Sequence, residues 1–448
     1  MSDIIDRAGL EDAASRLVAA ALKAGADAAD ALADKSVSQN VQVRLGKRED
    51  VTRSERDGFG LRVFVGDRSA TIGVSSLSDP AILAERAVAM ARVATPDPYA
   101  GLAPADRLAK TFPDLDLFDP SAPPSADELA EDALATEDAA RAVAGVSNSN
   151  GASAYWSFGA GAMATSHGFL ASAQSSRHGR SVSVLAGEGT GMERDYEVAS
   201  KRYRADLETP EWVGESAGTR AVKRLGGRKL DTTAGVVVFD VRIAAGLLGH
   251  LISGISGSAI ARKTSFLKDK LGQRILPAGM TITDDPFIPR GLASRAFDGE
   301  GLVGDVLKLV DDGVLMTWLL DSASARELGL ESNARAGRGL GSPHPGPTNV
   351  TMSPGPVTRD ELLKQIGTGF YVTDLIGHGV NGLTGDYSRG ASGFWIENGE
   401  LTYPVTEMTI AGNLLDMFPR FLPANDVETR FSYQAPTIAI EGMTIAGR

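Results

Sequence analysis

The chain has 448 residues, 43% hydrophobic and 23% charged, enough apolar material for more than one folding unit. A formal net charge of −12 argues against nucleic acid as a direct partner, because phosphate backbones are held by basic faces. There is no cysteine, which excludes disulfides, thiol nucleophiles and thiolate ligands, so a metal site would have to draw on five histidines and the carboxylates.

The first residues carry acids and no apolar leader, and no later stretch approaches the roughly 18 uncharged apolar residues that span a membrane. The expectation is a cytoplasmic protein without membrane contact. Leu10, Ala13, Ala14, Leu17, Val18, Ala21 and Leu22 recur at the helical period, and Gly25 closes the helix. The period then drops to two. Val41, Val43 and Leu45 alternate with Gln42 and Arg44; Leu61, Val63 and Val65 alternate with Arg62 and Phe64, before a Gly66-Asp67 turn. A helix is predicted over Pro80 to Val93. The proline-rich connection from Thr95 to Glu128 is long for a structureless loop, so it is expected to lie on the surface or to carry function.

Ser125 to Val143 reads as a helix with Ser125 at the N-cap and Glu128 at capping-box spacing. Ser147 to Glu208 reads as successive strands, and Trp212 to Leu225 as a helix ended by Gly226-Gly227. These glycines set an expected boundary between an N-terminal α+β domain, 1–225, and a β-rich C-terminal domain, 226–448. The second begins with a buried strand, Gly235 to Phe239, and a helix containing GLLGHLISGISGS (Gly246–Ser258). Asp312-Gly313 and Asn398-Gly399 each follow acids and precede an apolar strand, which predicts two type I′ hairpins that lead into helix starts. Helices and strands come in blocks, so the fold class is α+β, two domains of mixed helix and antiparallel sheet.

The chemistry is sparse. No P-loop and no convincing dinucleotide fingerprint is present. His250 has Gly246, Leu247, Ser253 and Gly254 at helical spacing, none of which is a metal ligand. Small residues at Gly249, Ser253 and Gly257 predict close packing of this helix. His167 and His178 flank ten residues and are placed at strand ends across a hairpin; His344 sits in a proline-rigidified loop. His378 opens GHGVNGLTGDYSRGASG, where Asn381, Thr384, Asp386, Tyr387, Ser388 and Arg389 on a permissive backbone suit a binding loop or a plain connector.

The runs GLLGHLISGISGSAIARKTSFLKDKLGQRILP, GLASRAFDGEGL, GVLMTWLLDSASARELGL and VNGLTGDYSRGASGFWIENGELTYPVTEMTIAGNLLDM resemble the TldD/PmbA family, and within it the PmbA branch, also called TldE. The likeness is close over the C-terminal half and looser through VQVRLGKREDVTRSERDGFGLRVFVGDR. It implies a cytoplasmic α+β protein and a heterodimer that cleaves small or unfolded peptides. It also implies that zinc belongs to a TldD-like catalytic subunit, whose helix carries H-E-x-x-x-H with a cysteine completing the site. The older name, modulator of DNA gyrase, does not imply DNA contact.

Carried over by residue, the motif positions hold Gly249, His250 and Gly254. Glycine has no donor atom, so no catalytic residue, metal ligand or cofactor is assigned to this chain. The expected role is a non-catalytic partner of a TldD-like chain, a homodimer when isolated, with His250, Thr348, Asn349, Asp386 and Arg389 along a peptide groove. An extended segment at Thr348-Asn349 is expected to pair with peptide as an added strand. Two alternatives remain at this stage: an independent homodimeric hydrolase built on His344, His378, Asp386 and Glu397, and a peptide-binding regulatory protein.

Overall fold

The computed structural model describes residues 5–447. Its first half holds helices α1 (Arg7–Lys23), α2 (Pro80–Val93), α3 (Ala126–Arg141) and α4 (Pro210–Lys223), and strands β1 (Ala28–Arg44), β2 (Lys47–Val65), β3 (Arg68–Val74), β4 (Val146–Thr165), β5 (Leu170–Ala186) and β6 (Glu193–Lys201). The strands form one sheet in the order β3-β2-β1-β4-β5-β6, every neighbouring pair antiparallel.

Alternation along the strands explains the layering. Ala29, Ala31, Ala33, Leu61 and Val63 are buried under Leu10, Leu17 and Val18 of α1 and Leu83 and Val88 of α2. Further along the same face, Val37, Val41, Trp156, Phe158 and Val182 are buried under Leu129 and Ala133 of α3 and Val213 and Ala217 of α4. With a side-chain period of two, all four helices cover one face. The other face carries Asp34, Ser36, Ser38, Gly159, Gly161 and Ser175, and among the described residues none of the four helices packs over it. Each helix entry is capped as the residues suggest: Asp6, Asp79, Ser125 and Thr209 accept from first-turn N–H groups, and Ser125 and Glu128 complete a capping box.

Two expectations fail locally. Leu45 leaves the strand pattern: it turns at φ 51°, is 48% exposed, and the Glu137 carboxylate takes the N–H groups of Leu45 and Gly46 at 2.9 and 2.8 Å. His167 and His178 do not face each other, and His178 is not at a strand end. His167 bonds the Ala103 carbonyl oxygen at 2.9 Å, whereas His178 is buried in mid-strand, 3.5 Å from Asp119 of the proline-rich connection.

The second half holds β7 (Thr233–Phe239), α5 (Val241–Gly254), α6 (Gly257–Ala261), β8 (Ile282–Asp285), β9 (Leu307–Asp311), β10 (Val314–Leu315) and α7 (Ser322–Glu327). It continues through β11 (Ala336–Gly337), β12 (His344–Pro345), β13 (Asn349–Met352), α8 (Arg359–Ile366), β14 (Gly369–Ile376), β15 (Asp386–Glu397), β16 (Glu400–Asn413), α9 (Leu414–Met417), β17 (Phe421–Pro423), β18 (Tyr433–Gln434) and β19 (Ile438–Ala446). One sheet runs β10-β9-β8-β13-β18; another runs β16-β15-β14-β7-β19-β17, and a further β16–β19 pairing closes β7, β14, β15, β16 and β19 into a ring. This half is strand-rich, and the fold is α+β. Both hairpins form as read: Asp312 and Gly313 have φ 47° and 77°, Asn398 and Gly399 φ 54° and 79°, the left-handed pair that a type I′ turn requires.

Candidate functional site

Helix α5 starts at Asp240, whose carboxylate accepts from the Arg242 N–H at 3.0 Å and from the Tyr371 hydroxyl at 2.6 Å. Leu247, Leu248 and Leu251 seat it in the core, and His250 looks out beside a cavity of about 210 Å³. Ser253, Gly254, Thr264, Phe266, Val380 and Gly382 also line this cavity. Its walls therefore come from α5, the segment after α6 and the glycine-rich loop before β15. The His250 ring meets the Tyr387 ring edge-on, centroids 5.8 Å apart. Burial, with the charge of Arg389 adding to it, holds the His250 imidazole below its ordinary pKa, so it is neutral at pH 7.

Arg389 shares a face of β15 with Tyr387. Its Nη2 donates to the Leu375 carbonyl oxygen at 3.4 Å, its Nε is enclosed without a partner, and among the described residues no carboxylate pairs with it. Asp386 does not join the cavity. It is exposed and accepts from Thr384 Oγ1 at 2.6 Å and Asn413 Nδ2 at 3.0 Å, holding the loop to the start of β16's turn into α9.

The comparisons with known proteins agree along the chain. Residues 29–91, 119–225 and 232–447 match the PmbA/TldA metallopeptidase domain 1, central domain and C-terminal domain. The chain belongs to the PmbA/TldD family. It is 41% identical to the metalloprotease PmbA of Escherichia coli O157:H7 over 94% of this chain and 93% of that one. It is 40% identical to the PmbA homolog of Haemophilus influenzae, over 98% and 96%. Among solved structures, a protein from Bacteroides thetaiotaomicron assigned as a modulator of DNA gyrase superposes with a TM-score of 0.90 at 28% identity, covering 98% of this chain and 99% of that one. TldE from Thermococcus kodakarensis shares the fold, with a TM-score of 0.85 at 21% identity over 97% and 100%.

A metallopeptidase family raises the question of whether these residues fit a metal, and they do not. A Cβ at Gly249 would stand 3.8 Å from Tyr433 Cε2, ordinary contact. A Cβ at Gly254 would stand 2.9 Å from Leu267 Cδ1 and 3.0 Å from Phe266 Cε1, so apolar neighbours already fill the space beside it. The close packing read into the glycine stripe therefore belongs to Gly254, and to Gly257 against Leu319 and Ser324, not to Gly249 or the exposed Ser253. Among the described residues no three His, Cys, Asp or Glu side chains converge to hold an ion. The set His344, His378, Asp386 and Glu397 does not assemble: Asp386 and Glu397 stand at opposite ends of β15, roughly 35 Å apart at a rise of about 3.3 Å per residue.

Thr348 and Asn349 are buried at 1% and 2% exposure, and their polar atoms are committed. Thr348 bonds Asp284 through both N–H and hydroxyl. Asn349 donates to the Asp285 carbonyl and Ser294 Oγ, both at 2.8 Å, and accepts from the Ala293 N–H at 3.0 Å. Strand β13 is paired on both sides, by β8 and β18, so its backbone has no edge to offer a peptide.

A second region emerges that the residue patterns left unread. The uncovered face of the first sheet and the proline-rich connection enclose a groove of about 860 Å³, lined by Asp34, Gly159, Gly161, Ser175, Leu115 and Phe297 among others. Small residues alternating along β4 and β5 were the available signal. Gly214-Glu215-Ser216-Ala217-Gly218 also spells the G-x-S-x-G of a hydrolase nucleophile elbow. It lies inside α4, not in a strand-to-helix turn, and Gly214 and Gly218 admit the backbone of α3 at Thr136 and Ala140. The spelling reports helix packing.

Proposed function

We propose that this chain is a non-catalytic, cytoplasmic PmbA/TldE-type subunit with domains 1–225 and 226–448, which associates with a metal-carrying TldD-like chain and helps it process small or unfolded peptides. The observation that carries the reading is α5: a metallopeptidase-family helix with Gly249, His250 and Gly254 at the motif positions, the last closed by Phe266 and Leu267. The chain's own contribution is then to wall a peptide space and to position the partner. The His250 cavity and the groove over the first sheet supply concave, mixed-polarity surfaces of the kind that bind peptides. The net charge of −12 does not favour nucleic acid as the ligand.

The test is reconstitution. The chain alone, and mixed with a TldD-like chain from the same host, is passed through size exclusion and assayed on an unstructured peptide. The expected result is no hydrolysis alone, co-elution on mixing, and hydrolysis by the mixture that exceeds that of the TldD-like chain alone. Separate elution with unchanged hydrolysis sinks the reading; hydrolysis by this chain alone replaces it with an independent enzyme.

A further inference from the structure

We infer that Asp34 of β1 is the receptor for a cationic nitrogen carried by a peptide that lies in the groove over the first sheet; this deepens the peptide-handling reading and rests on it.

The argument begins with which acids are paired. Among the described residues, every other Asp or Glu that is not exposed has a donor or a cation. Asp30 and Asp132 hold arginines, Glu137 takes two backbone N–H groups, Asp284 takes Thr348, and Glu300 takes the Ser322 N–H. Asp34 has neither a hydrogen bond nor an ion pair, and its surroundings bring no cation to bear on it. It is not enclosed either. It lines the groove of about 860 Å³, partly buried, with its unpaired oxygens accessible.

The cations of the same groove are spent elsewhere. Arg7 gives Nε and Nη2 to Ser172 Oγ. Arg202 donates to the carbonyl oxygens of Ser176, Gly291 and Leu292, and Arg295 to those of Ala336 and Gly346. Lys35, next along β1, pairs with Asp57 at 3.5 Å. The Asp34 carboxyl is therefore pushed up by burial first and by the charge of Asp57 second, with nothing to offset them. A guest cation supplies the missing charge-assisted bond.

The floor around Asp34 is clear. In register it stands between Gly58 of β2 and Gly161 of β4. Its carboxylate leans over Gly58, where a side chain would collide with it. On the other flank a Cβ at Gly161 would stand 3.8 Å from Asp34 Cβ, and one at Gly159 would meet nothing nearer than 3.9 Å, so the space above both is open. Phe112 and Phe297, ring centroids 5.3 Å apart, and Leu115 give the groove an apolar wall. An alkylammonium suits this combination, its head on the carboxylate and its stem along apolar surface. The nitrogen is either a peptide N-terminus or a Lys side chain, and the two sources are separable.

The experiment uses the full chain and one Gly/Ala/Leu hexapeptide with fluorescein at its C-terminal end, in three forms: free N-terminal amine, N-acetyl, and N-acetyl with one internal Lys. Binding is read by polarisation at pH 7, where both amines are mostly protonated. We expect the wild type to bind at least one charged form about tenfold more tightly than the plain acetyl form, the size of a charge-assisted hydrogen bond. That preference falls below twofold in Asp34→Asn, which removes the charge and breaks no bond of the fold. A preference for the free amine alone assigns the source to the terminus; one for the Lys form alone assigns it to the side chain; one for both makes the receptor general for ammonium. Gly161→Leu places bulk on the floor beside Asp34 and is expected to weaken all three forms at least fivefold. Equal binding of charged and uncharged forms by the wild type, a preference that survives in Asp34→Asn, or binding untouched by Gly161→Leu overturns the inference and leaves the peptide reading standing. No binding of any form at millimolar concentration overturns both.

Discussion

Arg62 of β2 and Arg338, from the second half of the chain, close on the same carboxylate, that of Asp30 in β1, and none of the three side chains is more than 8% exposed. Asp30 is thus a rivet between the halves. Burial alone would raise its carboxyl; the two guanidinia outweigh burial and hold it below the ordinary range. Removing the acid leaves two buried cations facing each other. Asp30→Asn is expected to cost about 3–5 kcal/mol in urea unfolding, the range for breaking a buried pair. A depressed pKa also sets the pH sense: the contribution is present above the unfolded value, about 3.9, and disappears as pH falls through the folded one. An unchanged midpoint in Asp30→Asn would show that the triad does not hold the halves together.

Glu300 behaves in the opposite sense. It is 3% exposed, accepts from the Ser322 N–H at 2.7 Å, and is pushed up to about 7 by burial first and by the charge of Asp298 second. The folded state therefore keeps a proton that the unfolded chain releases near its ordinary value. Stability from this group is complete below that value and is lost as pH rises towards 7. Glu300→Gln keeps the acceptor and removes the titration. It should match the wild type near pH 4 and exceed it near pH 8, by at most about 3 kcal/mol. Chemical denaturation at the two pH values decides; a difference that does not change with pH refutes the account.

Gly249 and Gly254 of α5 should respond oppositely to alanine. Gly249→Ala meets ordinary contact and gains helix propensity, up to roughly 1 kcal/mol. Gly254→Ala drives a methyl against Leu267 and Phe266 and should cost about 1–3 kcal/mol. It follows that writing H-E-x-x-x-H into α5, by combining Gly249→His, His250→Glu and Gly254→His, does not create a zinc site: the variant is expected to unfold more readily and to hold no stoichiometric metal in elemental analysis. One tightly bound zinc per chain would contradict the packing argument.

Asn349→Ala should be a folding lesion. It releases the Ala293 N–H, the Asp285 carbonyl and Ser294 Oγ together, at about 2–3 kcal/mol. Peptide affinity of the protein that remains folded should equal that of the wild type. A drop in affinity at full folding would put Asn349 back in the groove.

What could be read from residues alone was local. The cap at Ser125, the Asp312-Gly313 and Asn398-Gly399 turns and the period of α1 need only their neighbours in sequence, and all formed as read. The site did not yield so easily, because its walls come from α5, Phe266 and the loop at Val380. A polar pair such as Thr348-Asn349 looks the same in sequence whether it faces a groove or an internal acid, and only Asp284 across the sheet settles it. Glycine is equally silent: Gly249 and Gly254 read alike, yet one stands in open contact and the other against filled space. That glycine brings no metal donor is legible in any sequence, since a residue type without a lone pair is a chemical fact before it is a geometric one.

The strand ring carries a last consequence, for the order in which the molecule is made. β7 hydrogen-bonds β19 along Thr233–Phe239, with Ile438 opposite Phe239 and Ile445 opposite Thr233. A ribosome finishes the first of these strands about two hundred residues before it delivers the second. Until then the flank of β7 that β19 will occupy has no partner, and Val237 and Phe239 wait for Ile438 and Ile440. The sheet of residues 28–201 can close while translation continues; the ring of the second half can close only afterwards, and in that interval the nascent chain presents an apolar strand edge to whatever in the cell shelters one.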